Sequence, residues 1–221
     1  MKKIAIPTRE DMVVWPASQT SSWNKAAWLS WDWSVVLSEC MEKERRLLPL
    51  REAKTIAMKE EMQEAFQHGF QSYYKEDNQW QVLPDKDFYQ SLEAEGAEAY
   101  EAIDTDGLRV GGAIIAIDSA EHRGELSFLY VKVGVQSKGI GQGIWKAIER
   151  LHPEVEVWET CTPYFDRRNI HFYINRLGFH AVEFFNEHHP DPHMPEQFLD
   201  KPSGRAERDQ EDGLFKFEKC V

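Results

Sequence analysis

A glycine-rich turn between a strand and a helix constrains the fold of this chain more than any other feature. The segment Val131–Trp145 reads VKVGVQSKGIGQGIW. Residues 125–133 are rich in β-branched and aromatic side chains, which predicts a strand, and residues 144–151 carry apolar side chains at helical spacing. Three glycines leave main-chain N–H groups open where the helix begins, so the turn can hold an anion, usually a phosphate. These glycines are Gly139, Gly141 and Gly143.

A Walker A loop is excluded by two residues of this turn. Such a loop requires Gly-x4-Gly followed by Lys and then Ser or Thr, which contact the phosphates and magnesium. Gly134 and Gly139 have the required spacing, but Ile140 and Gly141 come next. The segment therefore lacks both the lysine and the hydroxyl group that a Walker A loop needs.

A dinucleotide-binding turn fits only in part. It requires Gly-x-Gly-x-x-Gly. Counted from Gly139, the third glycine position is occupied by Ile144; counted from Gly141, it is occupied by Lys146. Glu159 does lie twenty residues beyond Gly139, where a ribose-binding acid would be found. This alternative is weakened by the turn but not eliminated.

The order of helices and strands points away from a parallel dinucleotide domain. Helical patterns cover residues 56–74 and 84–95, and a later helix is predicted to start at Thr162-Pro163 and to end at Gly178. The turn Asp106-Gly107 between two strand patterns indicates an antiparallel hairpin, which disfavours an all-parallel sheet. The predicted strands cover residues 46–50, 99–103, 108–117, 125–133, 155–159, 181–185 and 214–217.

Two sequence blocks resemble the GNAT acyltransferase superfamily. Gln136-Ser-Lys-Gly-Ile-Gly141 matches its Gln/Arg-x-x-Gly-x-Gly/Ala signature for the pyrophosphate of acetyl-CoA. The segment Asn169–Phe179, NIHFYINRLGF, is similar to a helix and following strand of the same superfamily. The resemblance covers roughly residues 46–221. It implies an α/β (α+β) fold with a mixed, mostly antiparallel central sheet flanked by helices, in which two splayed strands form an acyl-CoA cleft.

The resemblance implies acetyl-CoA as the co-substrate and assigns residues to it. Pantetheine would lie between the strands at 125–133 and 154–160. The main-chain groups of Val131, Lys132 and Val133 would pair with its amides and could polarise the thioester oxygen. Lys138 would add a positive charge near the pyrophosphate, or it is simply a solvated lysine. The residues expected around the pyrophosphate are Gln136, Lys138, Gly139, Ile140, Gly141, Gln142 and Gly143.

The reaction that the resemblance implies is direct attack of a primary amine on the acetyl thioester. Tyr173 matches the superfamily's frequent general acid, which protonates the departing thiolate; otherwise it is an aromatic residue packed in the core. Asn169 either hydrogen-bonds the cofactor or caps the helix. Neither a Cys–His nor a Ser–His spacing indicates a covalent intermediate.

Two carboxylates are candidates for the general base that deprotonates the amine. Glu125 begins one predicted strand of the cleft and Glu159 ends the other. Either could act directly or through a water molecule, although the ordinary role of such a residue is that of a solvated acid at the end of a strand. Two further functions stay open: an acyltransferase that uses another acyl-CoA, and a catalytically silent CoA-binding or interaction module of the same fold.

Composition narrows the class of partner. The chain has 42% hydrophobic and 29% charged residues, which is typical of a globular protein. Its net charge of −12 argues against nucleic acid as a partner and suits a small cationic amine or peptide amine. Three cysteines without metal or redox spacing and no apolar run of spanning length predict a cytoplasmic protein without a membrane partner.

The resemblance assigns no role to two regions. Residues 1–44 contain five of the eight tryptophans and have no assigned role; they could form a contact with a partner or a second copy, pack as an appendage, or precede a natural start at Met41. Residues 45–221 would form the acyltransferase domain. The polar insertion 186–212 contains His188, His189, Asp191 and His193, but prolines interrupt the cluster, so we expect a solvated loop or acceptor-site rim and no metal.

Overall fold

The computed structural model describes residues 46–74, 81–135, 139–192 and 213–221. The tryptophan-rich segment 1–44 and most of the insertion 186–212 lie outside these ranges. The strands are β1 (Arg46–Pro49), β2 (Ala97–Ile103), β3 (Arg109–Asp118), β4 (Arg123–Val131), β5 (Val157–Pro163), β6 (His180–Phe185) and β7 (Leu214–Cys220). The helices are α1 (Thr55–Tyr74), α2 (Asp85–Glu93), α3 (Ile140–Leu151) and α4 (Arg167–His171), which continues as a π-helical segment at Phe172–Leu177.

The strands form one mixed sheet in the order β1-β2-β3-β4-β5-β7-β6. Every neighbouring pair is antiparallel except β4 and β5, which are parallel and joined through α3. The β2–β3 hairpin turns at Asp104, whose carboxylate accepts the N–H groups of Asp106 and Leu108 at 2.9 Å each. The predicted mixed, mostly antiparallel sheet is confirmed, and the doubly wound dinucleotide fold does not apply.

Helices cover both faces of the sheet. Alternating residues of β3 face opposite sides, as they do in any strand: Ile114 belongs to a core with Met58 and Phe88, and Ile115 to a core with Ile144. The first core contains residues of α1 and α2, and the second contains residues of α3 and the π-helical segment. The turn between β4 and α3 therefore lies at one end of a sheet that is packed on both sides.

One predicted boundary is wrong. Thr162 and Pro163, expected to begin a helix, instead end β5, where they pair with Phe215 and Leu214 of β7. The helix begins at Arg167, after Asp166 has accepted the N–H of Asn169 as an N-terminal cap. Pairing with a distant strand overrode the local helix-start signal.

Other predicted boundaries agree closely with the structure. Gly178 ends the π-helical segment with φ 80°, as predicted. Residues 181–185 and 214–217 lie in the paired strands β6 and β7. In the part of the chain that the structure describes, no helix is both long enough and apolar enough to cross a membrane.

Candidate functional site

The centre of the candidate site is the fork where β4 and β5 separate. The two strands pair only from Arg123↔Val157 to Glu125↔Glu159, although β4 continues to Val131. Just beyond the last pair, the Thr160 hydroxyl donates a buried hydrogen bond of 2.9 Å to the Leu126 carbonyl. The fork therefore opens next to a fixed contact between the two strands.

A β-bulge lies at the base of the same fork. The β3–β4 register shifts between Ile114, which faces Phe128, and Ile115, which faces Leu126. Ser127 is the extra residue on β4, and a bulge interrupts the ladder and redirects the strand locally. The bulge thus lies next to the position where β4 leaves β5.

Strand alternation decides which main-chain groups face the fork. The Lys132 N–H donates to the Val110 carbonyl of β3 at 2.9 Å. The main-chain groups of its neighbour Val131, and of Leu129 two residues before that, consequently point away from β3 toward the fork. Leu129 was not among the residues expected from the sequence.

The main-chain and side-chain groups of Lys132 already have partners within the protein. Its N–H is engaged with Val110, its carbonyl accepts the N–H of Val135 at 3.3 Å, and its ammonium group lies 2.8 Å from Glu61. Groups already paired within the protein are poorly placed to pair with pantetheine. Val133 lies in the turn that follows.

The N-terminus of α3 meets the geometric requirements of an anion site. Gly139 precedes the helix with φ 94° and gives no side-chain cap, and the Gly143 N–H makes the bond to the Gly139 carbonyl at 2.8 Å. The N–H groups of Ile140, Gly141 and Gln142 come before that bond, so they have no acceptor within the helix. Such groups and the helix dipole favour a negatively charged ligand. Gln136 and Lys138 lie outside the described residues.

The first turn of α3 packs against the π-helical segment. A Cβ on Gly141 would lie 3.0 Å from the ring of Phe172, so any larger residue there would crowd this contact. The side-chain amide of Gln142 donates to the Arg176 carbonyl at 3.1 Å. Only the main-chain N–H of Gln142 therefore faces the ligand position expected from the sequence.

Tyr173 has its ring in the core and its hydroxyl at the fork. The side chain is buried, and its ring packs against Phe172, Phe179 and Phe217. Its hydroxyl is hydrogen-bonded to Thr160, the residue that links the two strands of the fork. Burial raises the pKa of Tyr173 to about 12, so the phenol is protonated at neutral pH and can donate a proton. Both sequence interpretations of this residue are compatible with its position.

Asn169 and Asp166 form the start of α4. The Asn169 N–H donates to the Asp166 carboxylate at 2.9 Å. Burial raises the pKa of Asp166, against the smaller effect of this hydrogen bond. The helix cap is thus Asp166, and Asn169 lies one turn before Tyr173.

The two candidate bases lie opposite each other but in different surroundings. Glu125 and Glu159 are paired in register across β4 and β5. Glu159 is ion-paired with Arg123 and, at 3.0 Å, with Lys216. Glu125 is exposed, and its carboxylate accepts a hydrogen bond of 3.3 Å from Ser127. Glu125 is therefore the carboxylate that is better placed to accept a proton from a ligand.

Cys161 lies on β5 just past the last β4–β5 pair. The residue is exposed as a whole, but burial of its thiol and the nearby carboxylates of Glu125 and Asp191 raise its pKa to about 11. A thiol with this pKa is protonated at pH 7 and is a weak nucleophile. This thiol is therefore poorly suited to form a covalent intermediate.

The histidines of the insertion are engaged with neighbouring side chains. His189 lies 2.8 Å from Glu183 and stacks on Phe185, and His188 lies 3.3 Å from Glu187. Within the four described ranges, no group of three His, Cys, Asp or Glu side chains is arranged to hold a metal. His193 lies outside those ranges.

Thr160 and Ser127 were missed by the sequence analysis. Thr160 is a polar residue at a buried strand position, between the buried Trp158 and Thr162. The alternation along β5 could have indicated that Thr160 is buried. A buried hydroxyl needs a hydrogen-bond partner, which would have marked this residue for attention. The bulge at Ser127 had no local signal.

Comparisons with known proteins agree with this geometry. Residues 56–179, more than half of the chain, match the model of the acetyltransferase (GNAT) family. An uncharacterized protein of Bacillus subtilis, YrkN, is 41% identical over 144 residues, which are 65% of this chain and 77% of the relative.

Solved structures with low sequence identity share the fold. A GNAT family acetyltransferase from Elizabethkingia anophelis with acetyl-CoA bound has a TM-score of 0.55 and 13% identity, covering 81% of this chain and 99% of its own. A Bacillus subtilis acetyltransferase in complex with CoA has a TM-score of 0.53 and 18% identity, covering 80% and 99%. Spermidine N-acetyltransferase from Vibrio cholerae, in complex with CoA and spermine, has a TM-score of 0.55 and 10% identity, covering 80% and 95%.

Proposed function

The chain belongs to the acetyltransferase (GNAT) family, and from that premise we propose that it transfers an acetyl group from acetyl-CoA to a primary amine by direct attack. The observation that carries the proposal is the fork between β4 and β5, with the open N-terminus of α3 at one end and the Tyr173 hydroxyl at its base. In this proposal the N-terminus of α3 would hold the diphosphate, the fork would hold the pantetheine chain, and Tyr173 would be the proton donor.

The donor would bind mainly through main-chain groups. The N–H groups of Ile140, Gly141 and Gln142 would hold the diphosphate, and those of Val131 and Leu129 would pair with pantetheine along the free edge of β4. Hydrogen-bond donors that are already oriented stabilise negative charge on the thioester oxygen without reorganisation. Asn169 would contact the donor from the start of α4.

The chemistry requires two proton movements. The amine loses a proton, its nitrogen forms a bond to the acetyl carbon, and the bond from that carbon to sulfur breaks. Glu125 is proposed as the base, since Glu159 is held by Arg123 and Lys216. Tyr173 is proposed to protonate the departing thiolate, because its phenol keeps its proton up to a pH of about 12.

The acceptor is proposed to be cationic before it loses its proton. Glu125 and Asp191 both act on the thiol of Cys161 beside the fork, so the acceptor would meet negative charge there. The polyamines bound by the Vibrio cholerae enzyme are one class to include among candidate acceptors. A cytoplasmic location is part of the proposal, since Cys161 and Cys220 are free thiols.

A thiol-release assay with acetyl-CoA tests the proposal. The acceptor panel contains polyamines, aminoglycosides, amino acids and peptide N-termini. Wild-type protein should release CoA with at least one of them. Tyr173→Phe should lower kcat on the order of 100-fold while leaving CoA affinity within about twofold. Tyr89→Phe removes the same atom from α2 and serves as the control.

A catalytically silent CoA-binding module is the second candidate. It is favoured by the Tyr173 hydroxyl, which already has a partner inside the protein. Tight CoA binding without thiol release for any acceptor, and no effect of Tyr173→Phe, would support this candidate over the enzyme.

A further inference from the structure

A shallow cavity, open to solvent, lies at the same end of the sheet as the glycine turn. Its volume is about 340 Å³, within the range of small-molecule sites. It is formed by the start of α1, the β2–β3 hairpin and the turn after β4. The lining residues that matter here are Lys54, Glu61, Glu101, Leu108, Arg109 and Lys132.

The two carboxylates of this cavity already have their partners. Glu101, with 2% of its side chain exposed, accepts Lys54 on one oxygen and Arg109 on the other, both at 2.8 Å. Glu61 accepts Lys132 at 2.8 Å on one oxygen, and its other oxygen accepts the Tyr130 hydroxyl at 3.1 Å. Both oxygens of each carboxylate are therefore already engaged by groups of this chain.

The lysines, in contrast, keep unused donors at the cavity. An ammonium group has three N–H donors, and the Nζ of Lys54 and that of Lys132 each contact a single carboxylate among the described residues. Their side chains are 48% and 38% exposed. Together with Arg109, three cations face two carboxylates, so the cavity carries a net positive charge in a chain whose net charge is −12.

We propose that this cavity binds a small anion through a phosphate or carboxylate group held by Lys54 and Lys132. The two ammonium groups have N–H donors that the carboxylates of Glu61 and Glu101 do not use. Such charged donors favour a negatively charged ligand over a cation or a neutral molecule. Ile103, Leu108 and Val135 also line the cavity, so there is room for an apolar body beside the charged group.

Two sources of this anion share the same chemistry. Lys132 and Val135 line the cavity and precede α3 in the sequence, so the donor proposed for the N-terminus of α3 could reach the cavity. The occupant is either a free metabolite anion or the phosphate on the ribose of the donor itself. Only the second source rests on the proposed function; the first is independent of acetyl transfer.

Calorimetric titration with inorganic phosphate and with citrate tests the site directly. Chloride at matched ionic strength is the reference, which separates a site from general screening. Lys54→Met should weaken binding about tenfold, since it removes a charge-assisted hydrogen bond. Lys59→Met makes the same change within α1, where the lysine pairs with Asp85, and should leave the anion affinity within about twofold.

A second variant keeps the test independent of the Lys54–Glu101 ion pair. Leu108 is 65% exposed at the cavity rim, so Leu108→Glu should fold and should repel the anion. Lys54→Arg keeps the charge and should retain most of the affinity. Binding that exceeds the chloride reference and follows this order of variants supports the site.

Competition with CoA and dephospho-CoA identifies the source. If CoA displaces phosphate and dephospho-CoA does not, the occupant is the donor's own phosphate. If neither displaces it, the cavity takes a free anion. Binding no stronger than chloride, or equal affinity in wild type, Lys54→Met and Leu108→Glu, overturns the proposal. These titrations need no acetyl transfer, so a failed enzyme assay does not affect their outcome.

Discussion

Thr160 is the residue that connects the fork to its proton donor. Its hydroxyl donates to the Leu126 carbonyl across the two strands, and it is hydrogen-bonded to Tyr173. Thr160 therefore lies beside the phenol and also bridges the two strands of the fork.

Replacement of Thr160 by valine therefore tests the fork at the scale of one atom. Thr160→Val keeps the shape but leaves the Leu126 carbonyl and the Tyr173 hydroxyl without this partner. We expect a loss of roughly 1–3 kcal/mol in the free energy of unfolding and a lower kcat, measured by urea denaturation and by thiol release. Thr162→Val, at the next buried position on the same face of β5, is the control. Equal behaviour of the two variants would show that Thr160 does not position Tyr173.

At the scale of elements, alanine substitutions at two glycines, one before α3 and one within α1, should change the stability of the protein in opposite directions. Gly139 has φ 94°, which strains any residue with a Cβ, whereas a Cβ added to Gly69 within α1 would meet no neighbouring atom of the described chain within 4 Å. Gly139→Ala should cost about 1–2 kcal/mol and weaken CoA binding. Gly69→Ala should stabilise the protein by about 0.5–1 kcal/mol without changing CoA affinity. Thermal unfolding and CoA titration of both variants check this pair. A Gly139→Ala protein with normal CoA affinity would mean that the left-handed turn is not needed for the donor.

Glu61 joins α1 to the two strands beneath it. It contacts Arg109 of β3 and Tyr130 of β4, as well as Lys132 just after β4. Burial alone would raise its pKa, but Lys132 and Arg109 lower it below the usual value. This carboxylate therefore remains charged at neutral pH, and its bonds stabilise the packing of α1 on the sheet.

Glu61→Gln should lower the free energy of unfolding by roughly 1–3 kcal/mol, because it keeps the shape and removes the charge that Arg109 and Lys132 contact. Glu64→Gln makes the same change at an exposed position of α1 and should stay within about 0.5 kcal/mol of wild type. Urea denaturation at pH 7 measures both. A Glu61 variant as stable as the Glu64 variant would remove the case for a structural role of this ion cluster.

For the whole molecule, the buried phenol predicts how stability changes at high pH. Burial raises the pKa of Tyr173 from 10.0 to about 12. The unfolded chain releases this proton first, so the stability that the phenol contributes is complete below pH 10 and is lost as the pH rises toward 12. A shift of two pKa units corresponds to roughly 2.7 kcal/mol.

Urea denaturation at pH 9 and pH 11.5 measures this loss. Wild type should lose roughly 2 kcal/mol more than Tyr173→Phe over that interval, since the variant cannot ionise there. Other tyrosines titrate in both proteins and cancel in the difference. Equal losses would show that the Tyr173 hydroxyl is not shielded from water.

Local signals predicted much of this fold, and long-range contacts account for what they missed. The glycine turn and the end of the π-helical segment at Gly178 depend on backbone conformations that a few neighbouring residues reveal. The end of β5 at Pro163 depends on pairing with Leu214, which is distant in sequence. The contact between Glu61 and Lys132 spans 71 positions. No periodicity within a short window can indicate such pairs, so the cavity beside the turn was not foreseen.

The short parallel ladder between β4 and β5 has a consequence for hydrogen exchange. The ladder between β4 and β5 consists of three residue pairs, and the Thr160 bond lies just beyond the last of them. A molecule bound in the fork would add hydrogen bonds along the unpaired parts of both strands. Amide hydrogen exchange along β4 and β5 should then slow when CoA is added, even though the strands themselves do not lengthen.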